Sequence, residues 1–304
     1  MRTNFTTVES AWLSYLDVLT NHSTILDSRV GPCRELIGAT FMVTKPTRAV
    51  IRPREMSAIY AAAELLWYLS WSNSGEMICH YAPSYANYLD ARGQTQGAYG
   101  FRWQDQVKPL IELLRRDPLT RRAVLGTWSL DDIGTETKDQ PCTLSLQFII
   151  RSNTLHLIVT MRSNDMWLGT VYDTFCFTRL QCLIAAELGV EVGTYTHQVG
   201  SLHLYEKNYP SASRLVSPRW SDLREPLPFD GYTELTVPLF SAIKIASELE
   251  EKWRNKTGEP GQVMFDLAQE NMLGTELGAM VLLCSAKNYG LDTLKTFLTE
   301  NNFN

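Results

Sequence analysis

The chain has 304 residues, 44% of them hydrophobic and 20% charged, enough to bury a full core as one large domain or two small ones. A net charge of -5 argues against a general nucleic-acid binder, and no segment is apolar enough to span a membrane. Six cysteines, at positions 33, 79, 142, 176, 182 and 284, show no paired metal-ligand spacing and fit a reducing compartment, and Met1–Leu16 has no continuous apolar core of a secretory signal, so a cytoplasmic protein without a metal is expected.

Residues 7–20 place Val8, Trp12, Tyr15, Leu16 and Leu19 at helical spacing and predict an amphipathic helix. Ser28–Arg34, with Gly31 and Pro32, reads as a loop, Leu36–Val43 as a strand, and Pro46 and Pro53 flank a short extended piece. Met56–Ser70 is predicted helical, with Ser57 as its cap and the run from Ala61 to Trp67 propagating it. Residues 71–98 are rich in Ser, Asn, Tyr and Gly and read as irregular. Val107–Arg116 is a second amphipathic helix with Pro109 in its first turn, ended by Asp117-Pro118. Ala123–Trp128, Leu144–Ile150 and Leu155–Met161 read as strands, and Thr174–Leu188 as a helix that buries Cys176 and Cys182. Pro210–Pro228 reads as loop, and residues 238–256, much of 265–289 and 291–298 as helix. Strand-like runs alternating with amphipathic helices predict an α/β fold with one large mixed sheet flanked by helices.

The polar residues of Gln140–Tyr205 are embedded in apolar strands and a helix, the pattern of groups that converge on a pocket. Cys142 is a nucleophile if a nearby cation stabilises its thiolate, and Arg162 is a candidate for that cation or for a phosphate fork. The bland reading of Cys142 is a small inert hydrophobe. Three ordered segments decide against it. Pro141-Cys142 with Gln147-Phe148 resembles the nucleophile segment of the thymidylate synthase superfamily. Arg162-Ser163-Asn164-Asp165, followed by Leu168-Gly169, resembles its phosphate and folate segment, and His197-x-x-Gly200-Ser201-x-His203-x-Tyr205 its sugar segment. The likeness extends from about Arg29 to Tyr209.

The resemblance implies a thymidylate synthase-like three-layer α/β (α+β) fold, a single domain over residues 1–304 with a helical C-terminal extension from about 230, and a homodimer with shared active sites. It implies catalytic roles for Cys142, Glu64, Tyr99 and His197. Glu64-Leu65-Leu66-Trp67 resembles the segment that organises active-site water, and Tyr99-Gly100-x-x-Trp103 a proton-transfer turn. Phosphate would be held by Arg29 (with Arg34 as a second candidate), Arg162 and Ser163, and by the Arg121-Arg122 pair reaching across a two-fold axis. The sugar hydroxyl would meet His203 and Tyr205, and 5,10-methylenetetrahydrofolate would meet Asp165 and Trp67. Cys142 would add to carbon 6 of a pyrimidine nucleoside monophosphate, and carbon 5 would then take up the one-carbon unit. Hydride would complete a methyl group, and water a hydroxymethyl group.

Two departures select within the superfamily. Thymidylate synthases have Leu-Gly-x-Pro-Phe-Asn where this chain has Leu168-Gly169-Thr170-Val171-Tyr172-Asp173. An aspartate suits cytosine, since it accepts from the 4-amino group and shares a proton with ring N3, whereas uracil's O4 would meet an acceptor. An alternative role for Asp173 is to cap a helix starting near Thr174. The second departure, Met161-Arg162-Ser163-Asn164-Asp165 with Gly200-Ser201-Leu202-His203, resembles the dCMP hydroxymethylases. The resemblance thus implies a dCMP 5-hydroxymethyltransferase. The alternatives are a CMP 5-hydroxymethylase, a dCMP or dUMP C5-methyltransferase, and an inactive homologue that binds nucleotides or RNA.

Overall fold

The computed structural model describes residues 3–28, 30–135, 137–216, 235–255, 260–272 and 275–290. In chain order the first elements are β1 (Asn4–Phe5), α1 (Val8–His22), β2 (Thr24–Ser28), β3 (Gly31–Val43), α2 (Ala58–Leu69), α3 (Glu76–Tyr81), α4 (Tyr99–Trp103) and α5 (Val107–Arg116). The central part holds β4 (Val124–Gly126), β5 (Thr143–Arg151), β6 (Thr154–Asp165), α6 (Gly169–Leu188) and β7 (Glu191–Tyr205). Helices α7 (Tyr209–Leu215), α8 (Leu239–Arg254), α9 (Pro260–Gln269) and α10 (Glu276–Tyr289) follow. The predicted helix at 291–298 lies outside the described residues. No helix among them is long and apolar enough to cross a membrane.

The chain divides into two compact units, the first formed by Met1–Met56, Asp105–Ile133 and Pro141–Gly231. It is a mixed sheet in the order β1-β3-β7-β6-β5-β4, with β2 paired to β3 as a hairpin. The β3–β7, β5–β6 and β4–β5 pairs are antiparallel, while β6–β7 and β1–β3 are parallel. Helices α1 and α6 pack on this sheet. Thr7 caps α1, its hydroxyl accepting from Ser10 N–H at 3.1 Å, and Trp12, Tyr15, Leu16 and Leu19 are buried, as the helical spacing requires.

Register assigns the two faces of the sheet. Phe41, His197, Val159, Leu146 and Leu125 are successive cross-strand partners, and all five are buried. Neighbouring rows, Met42–Thr196–Ile158–Gln147–Val124 and Thr40–Gln198–Thr160–Ser145–Gly126, lie on the opposite face and stay partly or fully exposed.

A line of irregularities crosses these strands. Inward alternation breaks between Val199 and Leu202 on β7 and between Met161 and Asn164 on β6, and the β5 register shifts between Thr143 and Ser145. Gly38 on β3 has φ 69°, in the left-handed region that favours glycine. A Cβ at Gly200 would stand 2.8 Å from the Arg162 carbonyl oxygen, so glycine permits the close approach of β7 to β6 here. Cys142, Arg162, Ser163 and Ser201 all lie along this line.

The second unit comprises Ser57–Gln104, Gly134–Gln140 and Tyr232–Asn304, and its described core packs α2 against α10, α8, α3 and α4. Ser57 caps α2 as expected, accepting from Tyr60 N–H. A Cβ on Gly100 would meet the Tyr68 carbonyl oxygen at 1.8 Å, which restricts that position to glycine where α4 crosses α2.

Several expectations are corrected. The predicted loop at Ser28–Arg34 is largely hairpin, with Gly31–Arg34 paired on β2 while β3 continues along β7. Between Pro46 and Pro53 a turn at Pro46-Thr47 and a short 3-10 segment, Arg52–Arg54, bound four residues without regular structure. The irregular stretch 71–98 includes α3 and a 3-10 turn at Pro83–Tyr88. Of the predicted loop at 210–228, Pro210 instead lies in the first turn of α7, a position that needs no N–H donor, and residues 217–228 lie outside the described residues. Helix α6 begins at Gly169, five residues before the expected Thr174, so Asp173 is inside the helix and does not cap it. The fold class stands as expected: mixed α/β, with a large mixed sheet flanked by helices.

Candidate active site

In the first unit the ends of β5, β6 and β7 bring together Cys142, Arg162, Ser163, Asn164, Asp165, Ser201, His203 and Tyr205, with Asp173 supplied by α6. Cys142 is half-buried, just before β5. Its carbonyl oxygen accepts from the Arg162 N–H at 2.8 Å, and the Arg162 Nε donates to the Pro141 carbonyl at 3.0 Å. The guanidinium carbon stands 5.6 Å from the centre of the Trp128 ring. Arg162 is therefore fixed against the backbone that presents the thiol.

Asp165 ends β6, and its Oδ1 accepts from Trp167 N–H at 2.9 Å. Burial raises its carboxyl above the ordinary range, opposed by the Trp167 N–H and by the neighbouring basic side chains of His203 and Lys207. Register sets Ser163 beside Ser201 and Asp165 beside His203. The Ser201 hydroxyl donates to Glu35, and the His203 ring packs edge-on against Tyr205 at 4.9 Å.

A buried chain of polar groups lies behind Asp173. The Asn164 Nδ2 donates to Asp173 Oδ2 at 2.7 Å. Its Oδ1 accepts from Thr170 Oγ1 at 2.5 Å and meets His197 Nε2 at 3.2 Å. His197 Nδ1 in turn meets the Tyr195 hydroxyl at 2.7 Å. Asn164 is 2% exposed and His197 and Tyr195 0%. A Cβ at Gly169 would come within 2.9 Å of Asn164 Nδ2, so this glycine leaves room for the Asn164–Asp173 bond.

Burial also pushes the His197 imidazole down to about 3, so the ring is neutral at ordinary pH. Below the unfolded value of about 6.5, the unfolded chain binds a proton that the folded chain refuses until pH about 3. This group therefore makes stability fall with falling pH across that window, by about 1.4 kcal/mol per unit once well below 6.5. In denaturant titrations between pH 6 and 4, His197→Gln should show a correspondingly shallower loss than the native chain. Equal slopes would mean that His197 is not held neutral.

The remaining expected site residues are described within their own units. Arg121 and Arg122 are exposed beside β4, where Gln147 Nε2 donates to the Arg121 carbonyl at 2.9 Å and Arg122 stands 4.0 Å from Asp117. Arg34, the second phosphate candidate, faces inward, 4.8 Å from the Tyr209 ring with Nη1 on the Leu19 carbonyl. Arg29 lies outside the described residues. In the second unit Glu64 is 9% exposed on α2 and accepts from the Tyr60 hydroxyl at 2.8 Å. Trp67 Nε1 donates to the Ser74 carbonyl, and its ring meets Tyr85 edge-on. The Tyr99 ring lies 5.3 Å from Tyr68 and 5.8 Å from Trp103.

The sequence reading gave no part to Thr170 or Tyr195, and took Asn164 only as a letter in a motif. The available signal was the run of four polar residues, Arg162 to Asp165, that ends the alternation of the preceding strand. Among the described residues no group of three or more His, Cys, Asp or Glu side chains is placed to hold a metal ion.

The site thus holds a half-buried thiol next to a fixed arginine, and a buried carboxylate backed by Asn164, which His197 meets in turn. The thymidylate synthase profile matches residues 18–225, and the chain belongs to the thymidylate synthase family. Among its relatives is the deoxyuridylate hydroxymethyltransferase of Pseudomonas phage M6, 33% identical over 199 residues, or 60% of this chain and 55% of that protein. Another is the deoxyuridylate hydroxymethyltransferase of Bacillus phage SP01, 29% identical over 218 residues, or 64% of this chain and 57% of that protein. The chain thus spans little more than half the length of these relatives.

Proposed function

We propose that the protein transfers a one-carbon unit to carbon 5 of a pyrimidine nucleoside monophosphate as a hydroxymethyl group, and that its base is cytosine, as in dCMP. The observation that carries the base assignment is the Asp173 carboxylate, buried on α6 and held by Asn164 N–H rather than spent on capping a helix. Cytosine offers the 4-amino donor such a carboxylate needs, and uracil offers O4, a second acceptor. A uracil substrate is the second reading, favoured by the names of the two phage relatives. Ser163 beside Arg162 fits a deoxyribonucleotide better than CMP.

Within this reading Cys142 is the nucleophile at carbon 6, with Arg162 and Ser163 on the phosphate and His203 and Tyr205 on the sugar. Asp165 fits a folate, since a half-buried carboxylate with one oxygen tied to Trp167 N–H retains acceptor capacity for a pterin's N–H groups. When bound, 5,10-methylenetetrahydrofolate supplies the one-carbon unit. Glu64 and Tyr99 take the proton-handling parts and Trp67 a share of the folate, as the resemblance implies. His197, neutral and buried, does not act as an acid but orients Asn164.

A second copy of this chain is proposed to cover the outward rows of the sheet. That face leaves Val124 on β4 43% exposed and Gln198 exposed on β7, with the Arg121-Arg122 pair next to β4 as cations for a partner's phosphate. The substrate assignment is tested by incubating the protein with methylenetetrahydrofolate and dCMP, CMP or dUMP and weighing the products. A hydroxymethylated dCMP is expected. Product from dUMP alone overturns the cytosine reading, and a methyl product overturns the hydroxymethyl reading.

A further inference from the structure

Asp173 is an oxygen acceptor with two equivalent ends, and nothing in a carboxylate alone decides which protons it keeps. The chain behind it supplies that decision. Because the carboxylate must accept, the Asn164 amide presents its NH2 to Asp173 Oδ2 and its carbonyl to Thr170 and His197. An amide oxygen can only accept, so His197 carries its proton on Nε2. The ring is neutral, so Nδ1 is a bare acceptor, and the Tyr195 hydroxyl donates to it. Burial, reinforced by the Asp173 charge, holds the Tyr195 phenol far above its ordinary value, so this donor keeps its proton. Every hydrogen bond from Tyr195 to Asp173 therefore points the same way.

We propose that Asn164 is a positioning residue that fixes Asp173 as a proton acceptor at Oδ2, and that Tyr195, remote from the carboxylate, sets the direction of the Asn164 amide through His197. The proposal rests on the reading of Asp173 as the base-recognition residue and deepens it. With Oδ2 held by an N–H, the proton shared between the carboxylate and a cytosine is left on ring N3. Protonated there, the ring accepts the electron pair that Cys142 pushes into it when the S–C6 bond forms. Without that N–H, Asp173 can keep the proton itself. A protonated carboxyl group offers one donor and one acceptor, as an amide does, and so tolerates uracil. Asn164 is thus a specificity residue acting through another, and its position three residues from the nearest inward strand residue, Met161, follows from the break in β6.

The packing shows the same design. Gly169 leaves the space in which the Asn164 amide and the Asp173 carboxylate meet. Phe41 stacks on His197 at 4.9 Å and holds the ring in the plane that joins Tyr195 to Asn164. Thr170 gives the Asn164 oxygen its second donor, so an amide turned end for end would face a hydroxyl and an imidazole N–H with its own N–H groups.

The test compares kcat/KM for dCMP and for dUMP in the native protein, Asn164→Ala and the isosteric Tyr195→Phe. The native ratio alone tests the base assignment; the change in ratio on substitution tests the chain. Asn164→Ala should lower the dCMP-to-dUMP ratio at least tenfold, through kcat more than through KM. Tyr195→Phe should lower it by about threefold or more with little change in Tm, since only the far end of the chain is cut. A ratio within twofold of native in either folded variant overturns the proposal. If Asn164→Ala does not fold, Tyr195→Phe decides alone, because it removes one oxygen atom and no packing volume.

Discussion

Cys142→Ser should lose turnover by on the order of 10⁴-fold or more while retaining nucleotide binding within a few-fold. The reasoning begins with the sulfur. A thiolate is a strong nucleophile at neutral pH, whereas a serine hydroxyl there is almost wholly protonated and needs a general base to attack. Arg162 cannot be that base, since its guanidinium stays charged. His197 cannot either, for its Nε2 is committed to Asn164 and its Nδ1 to Tyr195. The phosphate and sugar groups proposed for Arg162, Ser163, His203 and Tyr205 do not involve the thiol, so ground-state binding survives. Single-turnover assays with dCMP and dUMP, beside calorimetric titration with the same nucleotides, separate the two quantities. Turnover within tenfold of native would remove Cys142 from the chemistry. Parallel loss of binding and turnover would make it a packing residue instead.

Much of the sheet was legible because alternation is unambiguous where an inward face is uniformly apolar. Leu144–Ile150 and Leu155–Met161 read as strands for that reason, and both proved longer, Thr143–Arg151 and Thr154–Asp165. The 15-residue strand β7 was not read at all, although it is the central strand of the site. Its inward positions include Gly193, Tyr195 and His197, and its alternation breaks at Gly200-Ser201, so the period-2 signal is carried by residues that look polar or featureless. The same break makes the site. Where β6 and β7 lose their alternation together, Ser163 and Ser201 leave the packed interior, and Asn164 enters it. Pattern reasoning sees such a place as the end of a strand. The start of α6 was misplaced by a related cause. Gly169 and Thr170 are weak helix formers, so propensity favoured a later start, and only the packing of Thr170 and Asp173 against Asn164 fixes the first turn. Motif resemblance nominates residues that periodicity passes over, because it does not depend on which face a residue occupies. It was blind to Tyr195, which lies two residues before the sugar segment's first histidine and belongs to no motif.

Asp173→Asn should shift the ratio of kcat/KM for dCMP over dUMP toward uracil by on the order of 10²-fold or more, the scale at which buried polar mismatches discriminate. The native carboxylate presents two acceptors, one of them occupied by Asn164 N–H. Cytosine answers with its 4-amino donor and, once Cys142 has added, a proton on N3; uracil answers with O4, and two acceptors then face each other without a proton between them. An asparagine at 173 would give its oxygen end to the Asn164 N–H, whose direction Thr170 and His197 maintain. Its amino end would then be a fixed donor beside a fixed acceptor, the pair that uracil's O4 and N3–H require. The substitution keeps shape and hydrogen-bonding partners, and Asp173 is inside α6 rather than at its cap, so stability should change little. This separates recognition from structure in one variant. A large fall in Tm with an unchanged ratio would assign Asp173 to holding the first turn of α6. An unchanged ratio at unchanged Tm would detach the residue from the base altogether, and the substrate assignment would fall with it.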